Sequence, residues 1–170
     1  MKILVFLQGT TLMQRDAVGV PWEGQARRVA QGTDDSVGDS ESYIPVGKAV
    51  EKLMKWRNQG AEILYLASHR DPKDVEKDRL VLAKYGFPLG PVLYRSNESE
   101  SYASIAEKVL PDLIVEDDCL SIGGEPEMTY PNMSDDAKRR VKSIVVREHG
   151  GIDHLPDELS MLRNWPVNHP

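Results

Sequence analysis

Cysteine is nearly absent from this chain. Cys119 stands alone among 170 residues, which excludes an intrachain disulfide framework and a cysteine-built zinc cluster. Long apolar runs are missing too. The amino terminus offers one lysine and Ile3–Leu7 before turning polar at Gln8, too short for a secretory leader and far too short for a membrane span. Positive charge is in deficit: 21 Lys and Arg face 27 Asp and Glu, a net charge of -6. That argues against a broad nucleic-acid or anionic-membrane surface and leaves a cytoplasmic protein as the default expectation. No internal repeat or low-complexity tract occurs. With 40% hydrophobic and 28% charged residues, the chain has the composition of a globular protein long enough to bury a real core.

Short apolar runs recur, and each stops at a polar turn. Ile3–Leu7 leads into Gln8-Gly9-Thr10-Thr11, and Ile63–Ala67 ends in Ser68-His69-Arg70. Pro91–Tyr94 ends at Arg95, Leu113–Val115 ends in Glu116-Asp117-Asp118, and Val141–Val146 closes the series. Uncharged runs bounded by turn signals read as strands buried on both faces, as in a parallel sheet. Helical patterns lie between them: Val46 to about Asn58, Pro72–Tyr85, Ser99–Val109 and Asp135–Arg140, with a weaker one over His154–Leu162. Proline near a helix start and glycine past its end, as at Pro72 and Gly86, fit the usual asymmetry. In the second helix Val75, Leu80, Leu82 and Ala83 supply the apolar stripe, and Asp74, Glu76, Lys77 and Asp78 are expected to be solvated.

Strands alternating with helices predict right-handed crossovers. The expected fold is α/β: a three-layer, Rossmann-like parallel sheet of about five strands with helices on both faces. One domain over 1–170 is the simplest organisation, with 13–45 as a flap or small cap-like insertion and 147–170 as a carboxyl-terminal extension. Within the insertion a short helix is expected over Gly24–Gln31 and an exposed loop over Gly32–Ser42.

A parallel sheet delivers the last residues of every strand to one rim, where open α/β sheets bind ligands. Gln8, Gly9, Thr10, Ser68 and Arg95 meet there as donors suited to a phosphate. The acidic cluster at Glu116, Asp117 and Asp118 suits a hard cation such as magnesium. Plainer roles remain open for each. Ser68 could cap the helix at Pro72, and the aspartates could solvate a turn. His69 and His149 lack a second histidine or cysteine at metal-ligand spacing, which favours structural or surface roles.

The order of these motifs resembles the haloacid dehalogenase-like (HAD-like) superfamily of phosphohydrolases and phosphotransferases, over Lys2 to about Val146. In that family the first strand ends in Asp-x-Asp-Gly-Thr, the second in Ser or Thr, and the fourth in an acidic pair. The matching stretches here are Phe6-Leu7-Gln8-Gly9-Thr10-Thr11, Leu66-Ala67-Ser68-His69-Arg70 and Ile114-Val115-Glu116-Asp117-Asp118. Two positions depart. The family's nucleophilic aspartate falls on Phe6 and its acid/base aspartate on Gln8, and neither residue can do that work. The family lysine has no clear counterpart: Lys84 and Lys108 lie on helices, and Arg95 is the better candidate to neutralise a phosphate.

The resemblance implies a HAD-like domain with a minimal cap or none, a Mg²⁺ site at Asp117 and Asp118 weakened by one lost ligand, and no assignable catalytic residue. It implies a degenerate member that binds a phosphorylated small molecule or nucleotide after losing aspartyl-phosphate chemistry. Two alternatives stand beside it. One is a magnesium-dependent phosphohydrolase in which water attacks directly. The other is an interaction module using 13–43 and 123–133 as contact elements, with homo-oligomer formation left open.

Overall fold

A computed structural model describes residues 1–19 and 42–166 of the chain. Five strands form one parallel sheet: β1 (Lys2–Phe6), β4 (Glu62–Leu66), β5 (Val92–Leu93), β6 (Leu113–Asp117) and β7 (Lys142–Val146). Their spatial order is β5-β4-β1-β6-β7. β1 therefore lies between β4, paired Ile3 to Ile63, and β6, paired Ile3 to Leu113. The chain runs outward from β1 to one edge, then returns to fill the other. That reversal makes the carboxyl end of β1 the switch point where α/β sheets open a crevice for ligands.

Side-chain alternation divides the core into two layers. Ile3, Val5 and Leu7 face α1 (Ala49–Asn58) and α2 (Pro72–Tyr85), packing with Leu53, Trp56, Ile63, Tyr65 and Val75. Leu4 and Phe6 face α3 (Tyr102–Val109) and α4 (Asp135–Arg140), with Leu64, Leu66, Ile105 and Ala137. Both faces of the sheet are covered, which is why the strands read as uninterrupted apolar runs. The three-layer α/β architecture expected from the alternating pattern is the one observed.

Several boundaries differ from the expected ones, each for a local reason. α1 begins at Ala49 rather than Val46, because Pro45 belongs to a strand and Gly47 turns the chain at φ +52°. α3 begins at Tyr102 rather than Ser99: Ser101 caps it, and Asn97 holds Ser99 in a separate turn. The terminal helix, α5, covers only Leu159–Arg163. Upstream of it the chain is fastened to α1, where Trp56 Nε1 donates to Pro156 O and Lys52 Nζ donates to Leu155 O. In α2 the buried stripe is Val75, Asp78, Val81 and Leu82, whereas Leu80 is 62% exposed. Asp78, expected in solvent, is fully buried.

Two three-residue strands were not anticipated. β2 (Leu12–Gln14) and β3 (Tyr43–Pro45) pair antiparallel, Met13 opposite Ile44. They stand directly after the β1 turn and form the root of the insertion expected over 13–45. The helix expected over 24–31 lies outside the described residues, as does the loop expected over 32–42 apart from Ser42. Among the described residues no helix is long and apolar enough to cross a membrane.

Candidate functional site

The rim begins where β1 stops. Phe6 is buried in the α3 layer, its ring edge-on to Tyr102 at 5.0 Å between centroids. The Arg95 guanidinium lies 3.9 Å over the Tyr102 ring, and its Nη2 donates to the Tyr102 hydroxyl at 2.7 Å. Arg95 Nε is buried and meets no hydrogen-bond acceptor among the described residues. Burial pushes the Tyr102 hydroxyl pKa up, and the charges of Arg95 and Arg70 hold it down. Two guanidinium groups thus stand near one hydroxyl at the β4–β5 side of the rim.

Gln8 is occupied at both ends. Its Oε1 accepts from the Ser68 N–H at 2.9 Å, and its Nε2 donates to Asp78 Oδ1 at 2.9 Å. Asp78 Oδ2 lies 2.9 Å from His69 Nδ1. Gly9 and Thr10 turn inward as well. The Gly9 N–H donates to Leu12 O and the Gly9 carbonyl accepts from the His149 N–H. Thr10 Oγ1 donates to Asp117 Oδ2 at 2.8 Å. Gln8, Gly9 and Thr10 therefore direct their principal donors to the protein itself, while Ser68 keeps its hydroxyl and Arg95 its Nε. Ser68 does not cap α2: Asp71 does, accepting from the Lys73 N–H.

On the other side of β1 the acidic set differs from the expected one. Glu116 points to the α3 layer, where it accepts from the Thr129 and Tyr130 N–H groups at 2.6 and 2.9 Å. Strand alternation sends its neighbour Asp117 the other way, so Glu116 leaves the cluster. Glu148, two residues past β7, joins it: oxygens of Asp117, Asp118 and Glu148 lie within 4.8 Å of one another. The hint was the rim rule itself, which applies to the end of the fifth strand as much as to the others. Asp117 is no solvated turn residue but the last of β6, with only 3% of its surface exposed.

Each carboxylate in the trio is held in place. Asp117 accepts from Thr10 and from the Cys119 N–H, Glu148 from the amide and hydroxyl of Ser121, and Asp118 from the Glu148 N–H. Burial raises the Asp117 pKa to about 6 against the opposing pull of Thr10, and the neighbouring Glu148 charge adds to the rise. Burial likewise lifts Glu116 to about 6. A carboxylate-only donor set fixed in orientation, with the His149 imidazole 3.8 Å from Glu148, fits a hard divalent cation. It does not fit a thiophilic metal, since Cys119 is buried with its thiol pKa driven far up.

Gly9 is required by this packing. Its φ is +88°, and a Cβ there would stand 2.7 Å from Asp117 Oδ2. Gly9→Ala is therefore expected to lower stability by about 1–3 kcal/mol and to displace the Asp117 carboxylate. Urea melts with and without Mg²⁺ would measure both effects.

No family model matches the chain, and no curated protein matches it. Solved structures do. A class C acid phosphatase from Bacillus anthracis, with tungstate bound, superposes with a TM-score of 0.57 at 17% identity, over 88% of this chain and 68% of that one. A chain of the Pnkp1/Rnl/Hen1 complex superposes with a TM-score of 0.52 at 13% identity, over 86% of this chain. The five-stranded parallel sheet with helices on both faces is an α/β, Rossmann-like fold that matches HAD-like neighbours. At these identities the likeness is one of fold, and this chain spans only 46% of the Pnkp1/Rnl/Hen1 chain. The sheet order puts Phe6 and Gln8 at the end of the central strand, Ser68 on one side of it and the acidic trio on the other.

Proposed function

We propose that this HAD-like chain binds a phosphorylated small molecule together with a divalent cation, and that it forms no aspartyl-phosphate. Asp117, Asp118 and Glu148 would hold the cation, which supplies charge neutralisation to phosphate oxygens when bound. The Ser68 hydroxyl and the Arg95 guanidinium would take the remaining oxygens, with charge-assisted hydrogen bonds from arginine the stronger contribution. Gln8, Gly9 and Thr10 serve the ligand indirectly, by fixing the β1 turn and the Asp117 carboxylate.

The observation that carries this reading is the end of β1. Covalent transfer through an aspartyl-phosphate needs an exposed carboxylate in line with the leaving group. This strand ends instead in an apolar ring buried against Tyr102 and an amide bonded at both ends. Neither side chain can attack phosphorus.

Isothermal titration with inorganic phosphate, nucleoside monophosphates and sugar phosphates tests it. Binding should require Mg²⁺, disappear in Asp117→Asn, and weaken about tenfold or more in Arg95→Ala, since a hydrogen bond to a charged group contributes about 1.5–3 kcal/mol. Absence of binding at millimolar ligand with saturating Mg²⁺ would overturn the reading.

A further inference from the structure

Beside the acidic trio stands an imidazole that the phosphate-and-cation reading leaves unused. His149 follows Glu148 directly, and its Nε2 lies 3.8 Å from Glu148 Oε1. That separation is too long for a hydrogen bond. The side chain is only 19% exposed, and Nδ1 is buried without a partner. Among the described residues, then, neither ring nitrogen makes a hydrogen bond. Buried polar groups are normally paired, and an unpaired one calls for an explanation, an ion among them.

The backbone that carries this ring is fixed. The His149 N–H donates to Gly9 O at 2.7 Å, in the turn whose Thr10 holds Asp117. His149 also sits at φ +58°, in the left-handed region that few residues other than glycine enter. Among the described residues Leu110, Cys119 and His149 are the non-glycine residues that do so. Two of these three flank the trio: Cys119 follows Asp118, and His149 follows Glu148. Conformations of this kind concentrate at functional sites, where the surroundings hold them in place.

Two donors sharing one six-coordinate ion, each about 2.1 Å from it, stand about 3.0 Å apart when adjacent and about 4.2 Å apart when opposite. The 3.8 Å between His149 Nε2 and Glu148 Oε1 falls between these limits. The charges of Glu148 and Asp118 both act on the ring, so it belongs to the trio's electrostatic neighbourhood. A neutral imidazole adds a nitrogen donor without adding charge. Carboxylates alone suit magnesium, calcium or manganese, whereas imidazole favours the later first-row metals. We propose that His149 Nε2 is a fourth ligand of the cation held by Asp117, Asp118 and Glu148, and that it turns the site's preference from Mg²⁺ toward a first-row transition dication. The proposal rests on the cation-binding reading above. The plainer role for His149 is an imidazolium paired with Glu148. The two roles separate by experiment: an ion pair opposes every cation alike, whereas a nitrogen ligand selects among them.

Titration calorimetry on the full chain tests this with Mg²⁺, Mn²⁺ and Co²⁺ at about pH 7.5, where imidazole is mostly neutral. Wild type is compared with His149→Asn and His149→Gly. Both replacements accept a positive φ, so the turn keeps its shape. Wild type should bind Co²⁺ at least about tenfold more tightly than Mg²⁺, with Mn²⁺ between them. Each variant should lose about tenfold or more in Co²⁺ affinity, since even residues behind the ligands typically contribute about 10–100-fold. Mg²⁺ affinity should change far less, because magnesium relies on oxygen donors. A second readout is proton NMR of the Co²⁺-loaded wild type. It should show a paramagnetically shifted, exchangeable ring N–H that His149→Gly lacks. A wild type that prefers Mg²⁺, or variants in which Co²⁺ and Mg²⁺ affinities change in equal proportion or not at all, would overturn the proposal and leave the cation-binding reading standing. So would absence of the shifted ring signal. A wild type that binds none of the three ions would remove both.

Discussion

Gln8→Glu should destabilise the chain at neutral pH by about 3–5 kcal/mol, in the range of an uncompensated buried charge. Glutamate matches glutamine in shape, so the Ser68 N–H would keep its acceptor. The other oxygen would then face Asp78 Oδ1, where an N–H now donates across 2.9 Å. Two carboxylates at that separation cannot both ionise; they share one proton, and the pair titrates above the ordinary carboxylate range. The sign follows from that raised folded-state value. Below the unfolded-state pKa, about 4, the penalty is absent, and it sets in as pH rises through the folded-state value. Urea melts at pH 7.5 and pH 5 would therefore show a smaller loss in acid. A loss equal at both pH values would refute the Ser68–Gln8–Asp78 arrangement.

The same geometry governs any attempt to install an aspartyl-phosphate reaction by Phe6→Asp with Gln8→Asp. The shorter carboxylate replacing the Gln8 amide would lose contact with the Ser68 N–H and repel Asp78. The one replacing the Phe6 ring would leave a gap among Leu4, Leu66 and Tyr102. The double variant should unfold more easily and gain no phosphatase activity. The end of β1 is built around the residues it now carries.

Asp117→Asn should have the opposite effect on the metal-free protein: a gain of about 1–3 kcal/mol at pH 7.5. Burial holds the Asp117 pKa at about 6, against an ordinary aspartate value of 3.8, and a difference of that size corresponds to about 3 kcal/mol. Because the folded-state pKa is raised, the contribution of Asp117 to stability is complete below about pH 4 and is lost as pH rises through about 6. Asparagine removes the buried charge and can still pair with Thr10 and the Cys119 N–H. The stabilisation should be accompanied by loss of the Tm increase that Mg²⁺ gives wild type. That increase should itself shrink below about pH 6, as protons compete for the carboxylate. Calorimetric Tm values for both proteins over about pH 5–8, with and without Mg²⁺, would check each part. A variant less stable than wild type without metal would contradict the account.

The central sheet was legible because its strands are buried on both faces and consist mainly of apolar residues. Asp117, Asp118, Ser68 and Arg95 could be placed at one rim for the same reason. What escaped depended on contacts between residues distant in sequence. Glu116 looked like a ligand until strand alternation and the Thr129 and Tyr130 amides claimed it. Glu148 follows an arginine in a polar stretch and becomes a neighbour of Asp117 only through the β6–β7 pairing. Asp78 was hidden among the charged residues of α2. Its spacing of three from Val75 and from Val81 was the one local sign that it belonged to the buried stripe. β2 and β3 are too short for a periodic signal and exist through their mutual pairing.

A crystal of the full chain soaked with Mg²⁺ and inorganic phosphate bears most directly on the claim that this rim holds a cation and a phosphorylated ligand. Density for a cation bridging Asp117, Asp118 and Glu148 is expected, with an anion beside it against the Ser68 hydroxyl and Arg95. An empty rim at saturating concentrations, or an anion bound elsewhere with the three carboxylates undisturbed, would contradict it.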